Sequence, residues 1–331
     1  MLSFTFGVLS QLNMLPTTSV AFFSPVPTPT PTPQLSKEYI YAGSRMLAVE
    51  EPNAQQQSAT DLAIWRLSDG TWWIMNGLSG NYIGQQWGAS GDVPAPADFD
   101  GDSKTDFCVF RPSNQTWYII NSSDSSFVYY QYGVSTDKPV PADYDGDGKA
   151  DIAVYRESSS SAWYILQSSN SQTVSYSFGA TGDKETPADY DGDGRTDIAI
   201  FRPSNASWWI YQSTTSQVVS QSFGASSDKP VVGDYDGDGK FDLATWRGSD
   251  NTWRILQSSN NTQTSVQWGD QSTDYSVQGD YDADGKTDVA VWRSSGSQAG
   301  YWFILKSSNG QMRSEQWGTT GDTPVPAPFR R

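Results

Sequence analysis

The sequence predicts an all-β fold: a β-propeller of six four-stranded antiparallel blades, closed where the C-terminal strand joins the first blade. Two observations carry that expectation. A nine-residue motif, Asp98-Phe-Asp-Gly-Asp-Ser-Lys-Thr-Asp106, recurs at Asp143–Asp151, Asp189–Asp197, Asp234–Asp242 and Asp280–Asp288, with starts 45, 46, 45 and 46 residues apart. A fixed period in this range marks a solenoid, an array or a propeller. The composition agrees. Only 36% of the 331 residues are hydrophobic while 14% are aromatic, and the wealth of Gly, Ser, Thr and Asp suits short strands joined by many turns.

In chain order, residues 1–23 are moderately apolar but have no Lys or Arg ahead of the hydrophobic part, which makes them a weak match to a secretory signal. Gln11, Asn13 and Pro16 interrupt the run and argue against a membrane-spanning helix. Pro25-Val-Pro-Thr-Pro-Thr-Pro-Thr-Pro-Gln34 reads as a linker, because alternating proline fixes φ and favours extended polyproline II. Residues 1–34 are therefore expected to stand apart from the fold, with a hairpin and connector over 35–60 and the propeller over 61–331. Glu38–Glu50 forms two alternating runs around Ala42-Gly-Ser44, a hairpin pattern. This short stretch resembles the RHS/YD repeat unit, which implies kinship with larger surface proteins.

From Asp61 onward each repeat holds four strand-like runs, A to D, such as Pro139–Tyr144, Asp151–Arg156, Trp163–Leu166 and Ser175–Gly179. Runs of this length, separated by Ser/Asn/Gly/Asp clusters, are hairpin-connected strands, and four per repeat is the arithmetic of a propeller blade. Every run occurs six times: strand B starts at Asp61, Asp106, Asp151, Asp197, Asp242 and Asp288, and strand D ends at Gly88, Gly133, Gly179, Gly224, Gly269 and Gly318. The first repeat opens at strand B, and the last ends on a strand A, Pro324–Phe329. Pairing these two would close a ring and remove its free edges. The alternative is a seventh blade built from the 38–50 hairpin.

The loop between strands A and B carries the chemistry. It reads Asp-x-Asp-x-Asp-x-x-x-Asp, and a hard cation such as Ca²⁺ wants six to eight oxygens around it. Side chains at positions one, three and five of a tight loop converge, the carbonyl of position seven adds an oxygen, and the aspartate at nine adds one or two more. The expected ligand sets are Asp98, Asp100, Asp102, Lys104 and Asp106; Asp143, Asp145, Asp147, Lys149 and Asp151; Asp189, Asp191, Asp193, Arg195 and Asp197. The remaining two are Asp234, Asp236, Asp238, Lys240 and Asp242, and Asp280, Asp282, Asp284, Lys286 and Asp288, for up to five calcium ions. Glycine at position six permits the sharp turn; Ser103 replaces it in the first loop. The loop aspartates make up 20 of the 37 acidic residues. Crowding them without a cation would cost the fold through like-charge repulsion. The first half matches an EF-hand loop, but position twelve is Val109, Val154, Ile200, Thr245 or Val291, where an EF-hand needs Glu. These are calcium loops in a β context.

Taken together, Phe223-Gly-Ala-Ser-Ser-Asp-Lys-Pro-Val-Val-Gly-Asp-Tyr-Asp-Gly-Asp-Gly-Lys-Phe-Asp242 resembles the FG-GAP/VCBS repeat of integrin α-subunit propellers and many bacterial surface proteins. The resemblance covers residues 61–329. It implies a propeller with calcium in its blade hairpins and a role in adhesion or recognition at an extracellular or cell surface. It implies no chemistry on a substrate.

Other recurrent residues read as scaffold. An aspartate six residues before each loop (Asp92, Asp137, Asp183, Asp228, Asp274) recurs as Asp322, which precedes no loop, so an Asx cap between strands D and A is expected. Each strand B ends in arginine (Arg66, Arg111, Arg156, Arg202, Arg247, Arg293), and each strand C carries a tryptophan (Trp72, Trp117, Trp163, Trp208, Trp253, Trp302). An Arg–Trp ladder stapling blades is the expected use; a sugar platform of the same pair is the alternative. Repeat-breaking aromatics such as Tyr129 and Tyr130, or the longer hairpin at Gly296–Tyr301, are better placed for a glycan. Cys108 matches Ala153, Ala199 and Ala244 and reads as a small buried thiol.

The formal charge of −16 excludes a nucleic-acid partner. With no histidine, the commonest general base is missing. A glycosidase would need two carboxylates at a cleft, and Glu157 and Glu185 read as isolated. The expectation is a non-catalytic module that meets a protein or glycan ligand, or assembles with itself into a larger extracellular structure.

Overall fold

The structure is a computed structural model. It describes residues 59–327 and the backbone of two strands nearer the N-terminus, Glu38–Ala42 and Arg45–Glu50. The expected linker and signal within 1–34, the connector at 51–58 and Phe329 lie outside the described residues.

The hairpin forms as its pattern predicts. Glu38–Ala42 pairs antiparallel with Arg45–Glu50, with a register shift between Ile40 and Tyr41. It is a two-stranded sheet of its own and does not supply a seventh blade. Six four-stranded antiparallel sheets follow, each in the order A-B-C-D, and together they form a six-bladed propeller. In blade 2, for example, Val93–Pro94, Phe107–Arg111, Thr116–Ile120 and Phe127–Gln131 are strands A to D.

Blade 1 is assembled from both ends of the chain. Strand A is Asp322–Pro324, lying beside strand B at Leu62–Arg66. The Val325 amide donates to the Ala63 carbonyl at 2.8 Å, and the Asp61 amide to the Ala327 carbonyl at 3.0 Å. Arg66 and Asp322, 256 residues apart, close the seam with a two-pronged ion pair. The ring is closed by the C-terminal strand, as the order of the runs requires.

Burial follows strand position. Four of the five residues in every strand B are buried, including Ile152, Ala153, Val154 and Tyr155 in blade 3, because both faces meet neighbouring blades. Strand C alternates, and strand D is largely exposed at the outer edge. Strand A is only two or three residues long, and Pro94, Pro139, Pro230 and Pro324 sit in it. Proline is tolerated there because an edge strand leaves one row of amides unpaired. Core clusters therefore lie between blades. Phe107 and Val109 of blade 2 pack on Trp65, Trp72 and Ile74 of blade 1, while Cys108, Phe110 and Trp117 pack on Ile152 and Val154 of blade 3. Cys108 is the buried thiol that was expected, and burial pushes its thiol up.

The strand-C tryptophans are wholly buried. Each indole donates to the carbonyl of the residue just past strand D of its own blade, from Trp302 to Trp317 at 2.7 Å up to Trp117 to Tyr132 at 3.3 Å. They are scaffold.

Candidate metal centres

Each A–B loop is a carboxylate folded around its own backbone. The position-one aspartate accepts from the amides of positions four and six: Asp98 from Gly101 at 2.6 Å and Ser103 at 2.7 Å, Asp189 from Gly192 at 2.6 Å and Gly194 at 2.8 Å. The position-nine aspartate clamps two segments. One oxygen of Asp106 accepts from the Phe99 amide at 2.7 Å and the other from the Ser122 amide at 2.6 Å, across the C–D turn. The same pair of bonds recurs at Asp151, Asp197, Asp242 and Asp288.

This wiring gathers positions one, three and nine. Asp98, Asp100 and Asp106 present carboxylate oxygens within 4.8 Å of one another, and so do Asp143, Asp145 and Asp151; Asp189, Asp191 and Asp197; Asp234, Asp236 and Asp242; Asp280, Asp282 and Asp288. The position-five aspartates fall outside that gathering. Asp102, Asp147, Asp193, Asp238 and Asp284 instead accept from the amides of Lys104, Lys149, Arg195, Lys240 and Lys286 at 2.8–2.9 Å. Of the position-seven residues, then, the amide has a clear part in the loop.

Sequence reasoning missed a pair of hydroxyl residues. Ser122, Ser168, Ser213, Ser258 and Ser307 donate to the position-five carboxylates at 2.8–3.0 Å. Their successors Ser123, Ser169, Ser259 and Ser308 donate to Asp100, Asp145, Asp236 and Asp282 at 2.5–2.7 Å. The signal was available: a Ser-Ser or Ser-Thr step follows strand C in these five blades. In blade 1 Gly77-Leu78 stands there, without a hydroxyl, and Asp61 accepts from the Gly77 amide and from the side chain of the preceding Asn76.

Burial chiefly, then neighbouring carboxylates, push Asp106, Asp151, Asp197 and Asp242 up to about 7 and Asp288 up to about 6, against backbone hydrogen bonds that pull the other way. Asp98 is likewise pushed up to about 7. Three carboxylates packed together and short of water need a cation or protons. Asp282 Oδ1 is buried without a hydrogen-bond partner, and its carboxylate faces Asp280 and Asp288. An all-oxygen donor set with an orphaned carboxylate oxygen fits a hard divalent cation and not a soft metal.

The loops are also linked to one another. The position-eight amide donates to the position-one carbonyl of the preceding loop: Ala150 to Asp98, Thr196 to Asp143, Phe241 to Asp189 and Thr287 to Asp234, at 2.7–2.9 Å. Thr60 continues the series to Asp280 at the seam. The stems of Lys149, Arg195, Lys240 and Lys286 lie over Gly101, Gly146, Gly192 and Gly237, where a β-carbon would meet them at 2.8–3.1 Å. Loop 5 has no following aspartate loop, and there the position is Ala283.

The recurrent arginine does not lie on the recurrent tryptophan. It pairs with the aspartate before the loop: Arg111 with Asp92, Arg156 with Asp137, Arg202 with Asp183, Arg247 with Asp228, Arg293 with Asp274 and Arg66 with Asp322, at 2.7–2.9 Å. Each guanidinium but that of Arg247 also covers the ring next to that tryptophan: Trp73, Tyr118, Tyr164, Trp209 or Phe303. The aspartates double as the expected Asx caps, as where Asp92 accepts from the Ala89 amide at 2.8 Å. Glu157 and Glu185 are not isolated either: both meet Lys138, at 3.2 and 3.3 Å. Glu185 stands where Pro94, Pro139 and Pro230 stand in other blades and is buried, and Lys138 offsets its charge there.

A profile for FG-GAP-like repeats matches residues 98–154 and 189–245. No curated protein sequence matches the chain. Among solved structures, the fold is similar to an Agrocybe aegerita lectin described recognising non-reducing terminal N-acetylglucosamine, at 15% identity and TM-score 0.53, over 84% of this chain and 80% of that one. It is also similar to TolB from Acinetobacter baumannii, at 14% identity and TM-score 0.56, over 80% of this chain and 66% of that one. A streptogramin B lyase aligns at 11% identity and TM-score 0.44, over 86% of this chain and 89% of that one. At such identities the first two likenesses speak to fold alone. The five loops, the matched profile and the closed ring together identify a six-bladed β-propeller carrying FG-GAP-like repeats.

Proposed function

We propose that this protein is a calcium-stabilised recognition propeller that works at an extracellular surface and carries out no reaction of its own. The observation that carries the reading is the gathering of three carboxylates within 4.8 Å in each of five loops. Asp98, Asp100 and Asp106 and their counterparts would hold the ion, with the position-five carboxylates turning in from their serines and the carbonyls of Lys104, Lys149, Arg195, Lys240 and Lys286 completing the shell. Calcium supplies charge neutralisation, and the chain supplies a stiff ring that presents grooves between blades. Five divalent ions would change the formal charge from −16 to −6.

With extracellular-type dissociation constants of roughly 0.1 mM and about 1 mM calcium, each site adds about 1.4 kcal/mol, and five independent sites about 7 kcal/mol at most. Native mass spectrometry should count up to five calcium ions, and thermal melts should move sharply upward between EGTA and calcium. A melting curve indifferent to EGTA refutes the reading.

A lectin reading has specific support in the exposed aromatics of blades 1 and 2, Tyr82, Phe127 and Tyr129. A glycan array probed with and without chelator separates it from protein adhesion. The lectin with the similar fold makes N-acetylglucosamine a natural first probe.

A further inference from the structure

The grooves between blades repeat one design, and two of them depart from it. At the start of strand D, blades 3 to 6 carry Thr173, Val218, Gln263 and Met312, whereas blades 1 and 2 carry Tyr82 and Phe127. Two residues on, blade 2 alone has an aromatic, Tyr129, where the others have Gly84, Ser175, Ser220, Ser265 and Ser314. Cross-strand pairing puts Tyr118 opposite Tyr129 and Ile120 opposite Phe127, so these side chains share the face turned toward blade 1.

The rings form a shelf. Phe127 meets Trp87 of blade 1 edge-on at 5.3 Å, lies within 9° of parallel to Tyr118, and is 5.9 Å from Tyr129. Phe127 is 52% exposed and Tyr129 65%. Beside them opens a pocket of about 430 Å³ lined by Gln86, Trp87, Val109, Arg111, Tyr118 and Phe127. Arg111 uses Nε and Nη2 on Asp92, which leaves the Nη1 edge outside that pair and the local charge balanced.

We propose that this groove between blades 1 and 2 binds a neutral saccharide, a proposal that rests on the lectin reading. The C–H face of a pyranose ring would lie on Phe127 and Tyr129, and its hydroxyls would meet the Gln86 amide and the Arg111 Nη1 edge. Flat apolar faces beside a few fixed polar groups suit a ligand that is itself apolar on its faces and polar at its rim. An anionic ligand fits poorly, because the only cation in the pocket lining is already paired and the chain is strongly acidic.

Calorimetric titration of the full, calcium-loaded chain with chitotriose, cellotriose and maltotriose tests this. At least one should bind. Phe127→Thr with Tyr129→Ser, the residues blade 3 uses, should weaken it by about tenfold or more and melt as the wild type does. Val218→Thr, at the start of strand D in blade 4, should change nothing. Binding that survives the double change overturns this site while the lectin reading stands. Silence of the wild type toward all three sugars overturns both. Dimerisation in sedimentation that the double change abolishes makes a second copy the occupant and overturns the saccharide.

Discussion

Five blades pass from strand A to strand B through an aspartate loop, while in blade 1 the same two strands come from opposite ends of the chain. The outcome differs in chemistry but not in geometry. In blades 2 to 6 the turn is covalent, and a carboxylate cluster hangs from it. In blade 1, Asp61 keeps its place as the position-nine residue and accepts from Asn76 and Gly77, and among the described residues no carboxylate cluster includes it. There, Val325, Ala327 and the Arg66–Asp322 pair hold strand A in place. The difference shows that the blade itself needs only strand pairing and packing. The aspartates are an added layer, chained from loop to loop.

The largest effect is expected at the seam. Removing residues 322–331 takes away one short strand, yet it exposes the edge of Leu62–Arg66, unpairs its backbone and leaves Arg66 without Asp322. Loss of a single cooperative melt, or aggregation, should follow. A silent truncation would mean that the ring stays shut by other contacts.

Protons should sharpen the contrast, because the loops titrate as a set. The raised folded values of Asp106, Asp151, Asp197 and Asp242, about 7 against roughly 4 in the unfolded chain, fix the sign. The metal-free native state binds more protons, so its stability falls as pH rises from about 4 to about 7. Melting in EGTA should therefore be higher at pH 5.5 than at pH 8. Calcium binds the deprotonated form, so its stabilising effect should be the larger one at pH 8. Equal calcium shifts at both values would contradict the burial of these carboxylates.

The smallest effect separates inner loops from the last one. Gly146 has φ +85 and lies under the Arg195 stem, so Gly146→Ala should cost about 2 kcal/mol in calcium, from backbone strain and displacement of that stem. Ala283 already bears its side chain at φ +60, and Ala283→Gly should change stability by only about 0.5 kcal/mol, strain relief being offset by added unfolded-state entropy. Denaturant midpoints at fixed calcium measure both. A comparable loss at the two positions would dismiss the stem-over-glycine contact as a cause.

The blade count, strand order and seam were legible because a period, a polar turn and a buried strand each leave a mark in one dimension. So was the gathering of the first, third and ninth loop aspartates, since residues within nine positions are local, whereas the fifth stands outside it on a serine from the C–D turn. The recurrent tryptophan read correctly as scaffold. Its supposed arginine partner did not: Arg111 and Asp92 are nineteen residues apart, and only the A–B pairing brings their side chains together. Glu157 and Glu185 looked isolated for the same reason, since Lys138, which joins them, belongs to another blade for one of the two.

By itself, then, the sequence determined what repeats: four strands, one loop and a ring that its own last strand completes. Only the tertiary structure decided what lies between repeats. The serines that hold Asp102 and Asp100, the lysine or arginine stem over the glycine of the preceding loop, and the shelf of Trp87, Tyr118, Phe127 and Tyr129 all join residues from different strands or blades. Period and propensity describe one strand at a time, whereas such contacts depend on how far each blade is turned against the next, and packing sets that angle.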